Sequence, residues 1–459
     1  MRLVPLLLAS ALLPAPALAA TDWHAEGREI LAKAISIPTV QERSESHVAD
    51  LVAYLKGRFE AGGITDITVK PYLNTQAMIV RWHAVGKPKA KPILLLGHMD
   101  VVDAKHEDWS KDPFQLVEED GYLYGRGSTD MKNGITAITV ALLQLKAEGF
   151  KPKRDIIVLF TGDEETGGNG ALLGATEWHA LTDAEYALNA DAGGGAFLKD
   201  GTSLGFGLQT SEKMYQSYTF TVHNPGGHSS RPRPDNAIYE LATALKKLEA
   251  HRFTPALNET TRAYFSARQT QEKGALGDAM RRWLKNENDA QAADMIEADP
   301  TEVGSTRTRC VATRLDGGHA DNALPQLARA TVNCRILPGI PAKDVQAELQ
   351  AMVGQGVEVS PSKDSYPSPA SPLRPDVVKA YSDSIHKRHP GALIIPQMSA
   401  GATDGLYFRA RGMPVYGVDG TWIVIPEDER AHGRDERIPV KSFNENLDHW
   451  HDMLMKLAG

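Results

Sequence analysis

Five short segments of this 459-residue chain hold residue types that bind metal ions and move protons. They are Gly97-His98-Met99-Asp100, Asp130-Met131-Lys132-Asn133-Gly134, Asp163-Glu164-Glu165-Thr166-Gly167-Gly168, Asn189-Ala190-Asp191 and Ala431-His432-Gly433. Together they offer two imidazoles and several carboxylates, a mixed nitrogen and oxygen set that suits zinc or a similar divalent ion. Each segment has a plainer reading when taken alone. His98 would be a hydrogen-bonded loop histidine, Asp130 a helix N-cap, Glu164 and Glu165 a solvated charge pair, Asp191 an Asx turn, and His432 a histidine of the surface tail. Their order, each closing an expected strand or opening a loop, points instead to a two-metal hydrolase.

The spacing suggests roles. His98 and Asp100 lie two apart at a strand end and share one face. Asp100 is therefore expected to accept the proton of the far ring nitrogen of His98, fixing its tautomer. Asp130 follows the glycine-rich Gly125-Arg126-Gly127-Ser128-Thr129. A carboxylate has two oxygens and can bridge two cations about 3.5–4 Å apart. Of the adjacent Glu164 and Glu165, one can bind metal while the other takes a proton from water. Three carboxylates against two divalent ions leave the site net positive, which acidifies bound water.

The elements that must position these residues are legible as patterns. Ile93-Leu94-Leu95-Leu96 and Ile156-Ile157-Val158-Leu159-Phe160 are short apolar runs, as in strands covered on both faces. Ile135, Ile138, Leu142 and Leu145 between them mark a helix that Gly149 ends. Asp191 is expected to end a strand around Tyr186 to Leu188, with Gly193 to Gly195 leaving room around it. This is α/β architecture, a mostly parallel mixed sheet flanked by helices, with chemistry at the carboxyl ends of strands. After Gly207 the pattern changes to an α+β order of strand, helix, two strands over Arg307–Leu315 and Ala328–Leu337, and a helix from Ala342. Residues 253–305 read as a mostly helical insertion. The α/β character then returns and closes with a helix through Phe443, Leu447, Trp450, Leu454 and Leu457, Ser442 serving as N-cap. The expected organisation is a signal peptide over 1–19, a catalytic domain over 20–211 and 366–459, and a smaller lid or dimerisation domain over 212–365 that interrupts it.

Bulk properties narrow the function. Hydrophobic content of 42% and charged content of 24% are those of a soluble globular protein. The formal net charge of -8 gives no reason to expect nucleic acid or a membrane as partner. Arg2, the apolar run Leu3–Leu13 and Ala17-Leu18-Ala19 make a secretory signal, so a secreted or periplasmic protein is expected after cleavage near Ala19. Cys310 and Cys334 are the two cysteines. Export permits a disulfide between them, and two buried thiols are the other reading.

In that order, the segments resemble the dizinc amidohydrolase and exopeptidase family that includes aminoacylase-1, glutamate carboxypeptidase, acetylornithine deacetylase, succinyl-diaminopimelate desuccinylase and carnosinase. The resemblance runs over nearly the whole mature chain. It implies two zinc ions, with cobalt or manganese as substitutes. Asp130 would bridge them, His98 and Asp191 would complete one site, and Glu165 and His432 the other. Asp100 would stand behind the ligands, Glu164 would be the general base, and the Asp130-Met131 peptide would be cis. His228 in Gly226-Gly227-His228-Ser229 resembles the histidine that polarises the scissile carbonyl, usually from the other subunit of a dimer formed through the lid. Asn322 and Arg335 resemble lid residues that hold the substrate, and Thr403 is a further substrate-binding expectation. Many members have Thr-Ser-Asp-x-Arg-Phe where this chain has Ala402-Thr403-Asp404-Gly405-Leu406-Tyr407. Leu406 stands at the place of the arginine, and Arg409 is shifted from it.

The expected function is a secreted zinc metallopeptidase that hydrolyses a dipeptide or short peptide through a metal-bridging water. N-acyl-amino-acid hydrolysis is the close alternative. A non-catalytic zinc-binding protein is a remote one, because nucleophile, base and oxyanion roles are all filled. A serine hydrolase is not expected, for want of a Gly-x-Ser-x-Gly elbow.

Overall fold

The computed structural model describes residues 21–40, 46–362 and 365–459. The expected signal peptide lies outside the described residues. An eight-stranded sheet runs in the order Asp66–Tyr72, Thr75–Trp82, Ile156–Thr161, Ile93–His98, Tyr186–Phe197, Val415–Val424, Ser203–Glu212 and Ile394–Ser399. Ile93–His98 pairs in parallel with both its neighbours, and Tyr186–Phe197 pairs in parallel with Val415–Val424. The edge strand Asp66–Tyr72 runs antiparallel to Thr75–Trp82, which in turn runs antiparallel to Ile156–Thr161, so the sheet is mixed as expected. Every residue of Ile93–His98 and Ile156–Thr161 is buried. That follows from helices on both faces, since a strand with two dry faces has no use for alternation.

The helix Lys132–Ala147 buries Ile135, Ile138, Leu142 and Leu145, and Gly149 follows its end at φ +75°. The closing helix Val440–Ala458 packs Phe443, Leu447, Trp450 and Leu454 into the same core. Ser442 does not cap it. The helix starts after Pro439, and the Ser442 hydroxyl inside its first turn accepts the Trp422 N–H at 2.7 Å. A proline already fixes the entry angle, which frees the serine to tie the helix to the sheet.

Between two strands of the large sheet in sequence, the chain builds a second sheet ordered Arg309–Gly317, Leu327–Ile336, Met214–His223 and Glu358–Pro361. Helices Ala237–Ala250 and Ala342–Val353 supply its core, Leu241 and Leu349 meeting Phe220, Val222 and Val332. The strand Glu358–Pro361 and a two-stranded pairing of Gly227–His228 with Ala323–Leu324 were not expected from the sequence. Residues 253–305 hold three helices, Glu259–Gln271, Gly274–Lys285 and Ala290–Glu297, around their own core of Phe265, Met280, Trp283 and Ile296. This unit leans on the large sheet, where Thr260 Oγ1 lies 2.6 Å from Thr210 Oγ1.

Cys310 and Cys334 stand directly opposite each other on paired strands and form a disulfide across 24 residues of sequence. Closing a loop of that size restricts the unfolded chain by about 3 kcal/mol. The Cys310→Ser/Cys334→Ser protein is expected to melt below the oxidised wild type, and a reductant should remove the difference. Equal melting temperatures under oxidising conditions would contradict this contribution.

Candidate metal centre

The site is assembled at the carboxyl ends of the central strands. His98 ends the strand Ile93–His98, and its Nδ1 donates to the backbone oxygen of Asp100 at 3.0 Å. That bond turns Nε2 outward, 3.2 Å from Asp130 Oδ1 and 3.6 Å from Asp191 Oδ1. The second imidazole arrives from the other end of the chain. His432, at φ +60°, places Nε2 3.0 Å from Asp130 Oδ2 and 3.1 Å from Glu165 Oε2. Two three-residue groups result, His98-Asp130-Asp191 and Asp130-Glu165-His432, each with its ligand atoms within 4.8 Å of one another. Asp130 belongs to both and offers one oxygen to each.

Three expectations are corrected here. The Asp100 carboxylate is not the main partner of His98, whose hydrogen bond goes to the Asp100 carbonyl. The carboxylate accepts the N–H groups of Glu164 at 3.2 Å and Glu165 at 3.0 Å, and so holds the backbone of the glutamate pair. Asp191 does not end its strand, which continues to Phe197. The glycines after it do leave room, Gly193, Gly194 and Gly195 lining a cavity that begins at Asp130 and Asp191. A Cβ on Gly193 would lie 2.8 Å from the Asp419 nitrogen, so glycine there permits close strand packing at φ +107°. Asp130 caps no helix, because Met131 occupies that place, and the Asp130-Met131 peptide is cis.

The electrostatics are those of carboxylates and imidazoles that face one another as candidate ligands. The Asp130 carboxyl is held well below the usual range: burial opposes this, and hydrogen bonds from His432 and His98 outweigh it. His432 is pushed up to about 10 by its bonds to Asp130 and Glu165. Asp191 is pushed up to about 6, first by burial and then by the charges of Asp130 and Glu165. Glu164 rises well above the ordinary carboxylate value through burial, with Asp191, Asp404 and Glu165 adding to it against His98. Three carboxylates and two imidazoles whose Nε2 atoms face them form a donor set suited to two divalent cations, which would displace the shared protons.

Around the ligands lies a framework that sequence reasoning did not assign. Asp163 accepts the Tyr72 hydroxyl at 2.7 Å and the Asn169 and Gly170 N–H groups at 2.8 and 2.9 Å, which sets the turn carrying Glu164 and Glu165. Glu436, four residues after His432, accepts from the loop before Asp130. Thr403 is turned inward rather than towards a substrate. Its N–H and hydroxyl donate to Glu212 Oε2 at 2.9 and 3.1 Å. Arg409 is 2% exposed, paired to Glu212 at 2.6 Å and bonded to Gln209 and Val415, so it cannot replace the arginine missing at Leu406. One acidic residue four places after a histidine is the sequence signal for Glu436, and it is too common to be read.

The lid residues stand apart from the cluster. His228 is exposed, and its ring accepts from the N–H and hydroxyl of Ser230. Asn322 lies beside it, its backbone oxygen accepting the Ser229 N–H at 3.0 Å. Arg335 donates to the Ala400 oxygen at 3.1 Å and lies over the Tyr215 ring. A cavity of about 580 Å³ starts at Asp130 and Asp191, crosses Ile395 and Ile423, and is walled by Tyr264 and Glu302 from the helical insertion. Contrary to the expectation that no Gly-x-Ser-x-Gly stretch occurs, Gly201-Thr202-Ser203-Leu204-Gly205 spells one. It forms the hairpin turn from Tyr186–Phe197 into Ser203–Glu212, where Ser203 Oγ accepts the Gly205 N–H, and no helix follows as a nucleophile elbow requires.

This fold and ligand set are those of a metal-dependent hydrolase acting on peptide or N-acyl amide bonds. The chain belongs to peptidase family M20/M25/M40, whose family model matches residues 94–456. The N-fatty-acyl-amino acid synthase/hydrolase PM20D1 of Homo sapiens is 27% identical over 435 residues, 91% of this chain and 84% of that protein. Aminoacylase-1 of Homo sapiens is 28% identical over 392 residues, 81% of each chain. The fold is similar to that of the M20 family metallo-carboxypeptidase Sso-CP2 from Sulfolobus solfataricus, with a TM-score of 0.71 at 17% identity over 94% of this chain and 99% of that one.

Asp404, behind the site, accepts from the Thr161 hydroxyl and is pushed up to about 8 by burial. Its folded value lies above the ordinary 3.8, so folding takes up a proton between the two, and stability falls as pH rises through that window. In chelator-treated protein, Asp404→Asn is expected to melt above wild type at about pH 9, with the gap closing towards about pH 4. A gap independent of pH would contradict the assignment.

Proposed function

We propose that this chain is a zinc-dependent exopeptidase or dipeptidase that hydrolyses the amide bond of a dipeptide or short peptide. The observation that carries the reading is Asp130, which presents one oxygen to each of two ligand groups with Glu164 beside them. His98 and Asp191 would hold one ion, Glu165 and His432 the other, and Asp130 both, with cobalt or manganese as substitutes for zinc. Ions bound there supply Lewis-acid polarisation of the scissile carbonyl and a lowered pKa for water.

The chain's own residues supply the rest. Glu164 takes the proton of the attacking water at its carboxylate and returns it to the leaving amine nitrogen. Burial and neighbouring carboxylates raise its proton affinity, which suits a base that must keep the proton until the C–N bond breaks. Asp100 and Asp163 hold the turn that aims it. His228 donates to the oxygen that gains charge, and Asn322 and Arg335 take the substrate carboxylate, for which the arginine fork is matched. N-acyl-amino-acid hydrolysis is the second reading, supported by the names of the two human relatives and by Leu406 at the usual place of an arginine.

Glu164→Gln is expected to lower kcat by roughly 10²–10⁴ while both metal ions remain bound. The same assay, run over dipeptides and N-acyl amino acids, separates the two readings by product. Hydrolysis at the wild-type rate by the variant would remove Glu164 from the role of base.

The reading includes a homodimer through the smaller sheet. Its edge strand Arg309–Gly317 is exposed along almost its whole length, with Val311 at 60% and Leu315 at 70% exposure, and Ile238 and Tyr239 lie exposed on the helix beside it. An open apolar edge of this kind is a pairing surface. Among the described residues, no helix is long and apolar enough to cross a membrane. Mixing inactive His228→Ala and Glu164→Gln proteins is expected to restore activity, because a mixed dimer has one site with both groups intact. Failure to complement in a demonstrated mixed dimer would place His228 in its own subunit's site.

A further inference from the structure

We infer that Glu436 is the positioning residue of the shared carboxylate Asp130, locking both ligand groups through one buried side chain. The inference rests on the metal reading above. Glu436 is fully buried, and its carboxylate accepts five hydrogen bonds. Oε1 takes the Thr129 N–H at 2.7 Å, the Thr129 hydroxyl at 2.8 Å and the Asp130 N–H at 3.0 Å. Oε2 takes the Gly127 N–H at 3.1 Å and Arg126 Nη1 at 2.6 Å. The backbone closes the arrangement. Gly125 N–H donates to the Glu436 oxygen at 3.0 Å, and Arg126 Nη2 donates to the Gly433 oxygen at 3.0 Å.

A buried carboxylate is strongly disfavoured unless hydrogen-bonded or paired, and Glu436 is both. What matters is which donors satisfy it. Three are the peptide N–H groups of Gly127, Thr129 and Asp130, the others the Thr129 hydroxyl and Arg126, so the loop from 125 to 130 is wound around this one side chain. The winding depends on Gly127 at φ +90°, where a Cβ would lie 2.9 Å from the Lys132 side chain. Once the Asp130 N–H is directed at Oε1, the Asp130 side chain projects away from Glu436, with its oxygens 3.2 and 3.0 Å from His98 and His432. Glu436 also lies four residues past His432 in the same closing segment. One carboxylate thus joins the Asp130 loop to the His432 loop, across about three hundred residues of sequence.

Because Asp130 serves both groups, a shift in its backbone must loosen both sites together. Glu436→Gln keeps the side chain's length but retains a single acceptor oxygen, and its amide N–H₂ then faces either Asp130 and Thr129 or Gly127 and Arg126. Competition against a chromogenic zinc chelator measures the outcome. Glu436→Gln is expected to surrender both ions with affinity lowered roughly 10–100-fold, the range for partners that orient metal ligands. Its KM should change less than its kcat. Leu454→Ala, in the core of the closing helix, serves as a control that lowers the melting temperature without touching the loop. Thr129→Val removes one of the five bonds, keeps the backbone, and is expected to lower affinity for both ions to a smaller extent. Wild-type affinity in Glu436→Gln would overturn the inference. So would an equal loss in Leu454→Ala at a matched fall in melting temperature, or, should Glu436→Gln not fold, unchanged affinity in Thr129→Val. A wild-type protein that binds no zinc would instead count against the metal centre itself.

Discussion

One carboxylate between two imidazoles is the constraint on which the molecule depends. Asp130 meets His98 with one oxygen and His432 with the other, and those histidines lie at a strand end and in a loop just before the closing helix. Gathering Asp130, Asp191 and Glu165 so closely is unfavourable on Coulombic grounds alone. The chain meets this with imidazoles turned towards the carboxylates and with backbone donors behind them, the arrangement into which cations fit. The larger features of the fold serve to hold these side chains 3.0–3.6 Å from one another.

The large sheet provides the rigid part. Its parallel strands present His98, the Glu164–Glu165 turn and Asp191 at one end, and their apolar runs are covered by helices on both faces. The polar framework beneath is unusual in how much charge it buries. Glu212 and Arg409 are both fully buried and joined to Thr403 and Gln209. An ion pair so placed adds little net stability over an apolar pair of similar shape, whereas loss of one partner is severe. It does fix a unique arrangement of the segment 403–409 against Ser203–Glu212, and that segment lies directly behind the site.

The smaller sheet supplies a contrasting surface. Its strands alternate buried and exposed residues because only one face is covered, and its outer strand is left open. His228 and Asn322 sit on its short two-stranded extension rather than against the carboxylates of the same chain. The candidate ligands thus converge on the large sheet, while His228 and Asn322 lie on an exposed part of the smaller unit.

Much of this was legible in the residues themselves. Short apolar runs and 3.6-residue periodicity are local properties of the chain, so the α/β core, the smaller α+β unit and the helical insertion could be read directly. So could the segments that carry the candidate ligands, because His98 ends a recognisable strand, Glu165 follows one and Asp191 lies within one. What the sequence alone left open depends on contacts between distant residues. Pairing of Cys310 with Cys334 required the register of two strands. The inward turn of Thr403 and the burial of Arg409 required Glu212, nearly two hundred residues away. The preference of Asp100 for the Glu164 and Glu165 backbone, and the grip of Glu436 on the Asp130 loop, are hydrogen bonds across the fold. A side chain's type and local spacing state what chemistry it can do. Which partner satisfies it is decided only when burial removes water and leaves whichever donors and acceptors the packed structure brings within reach.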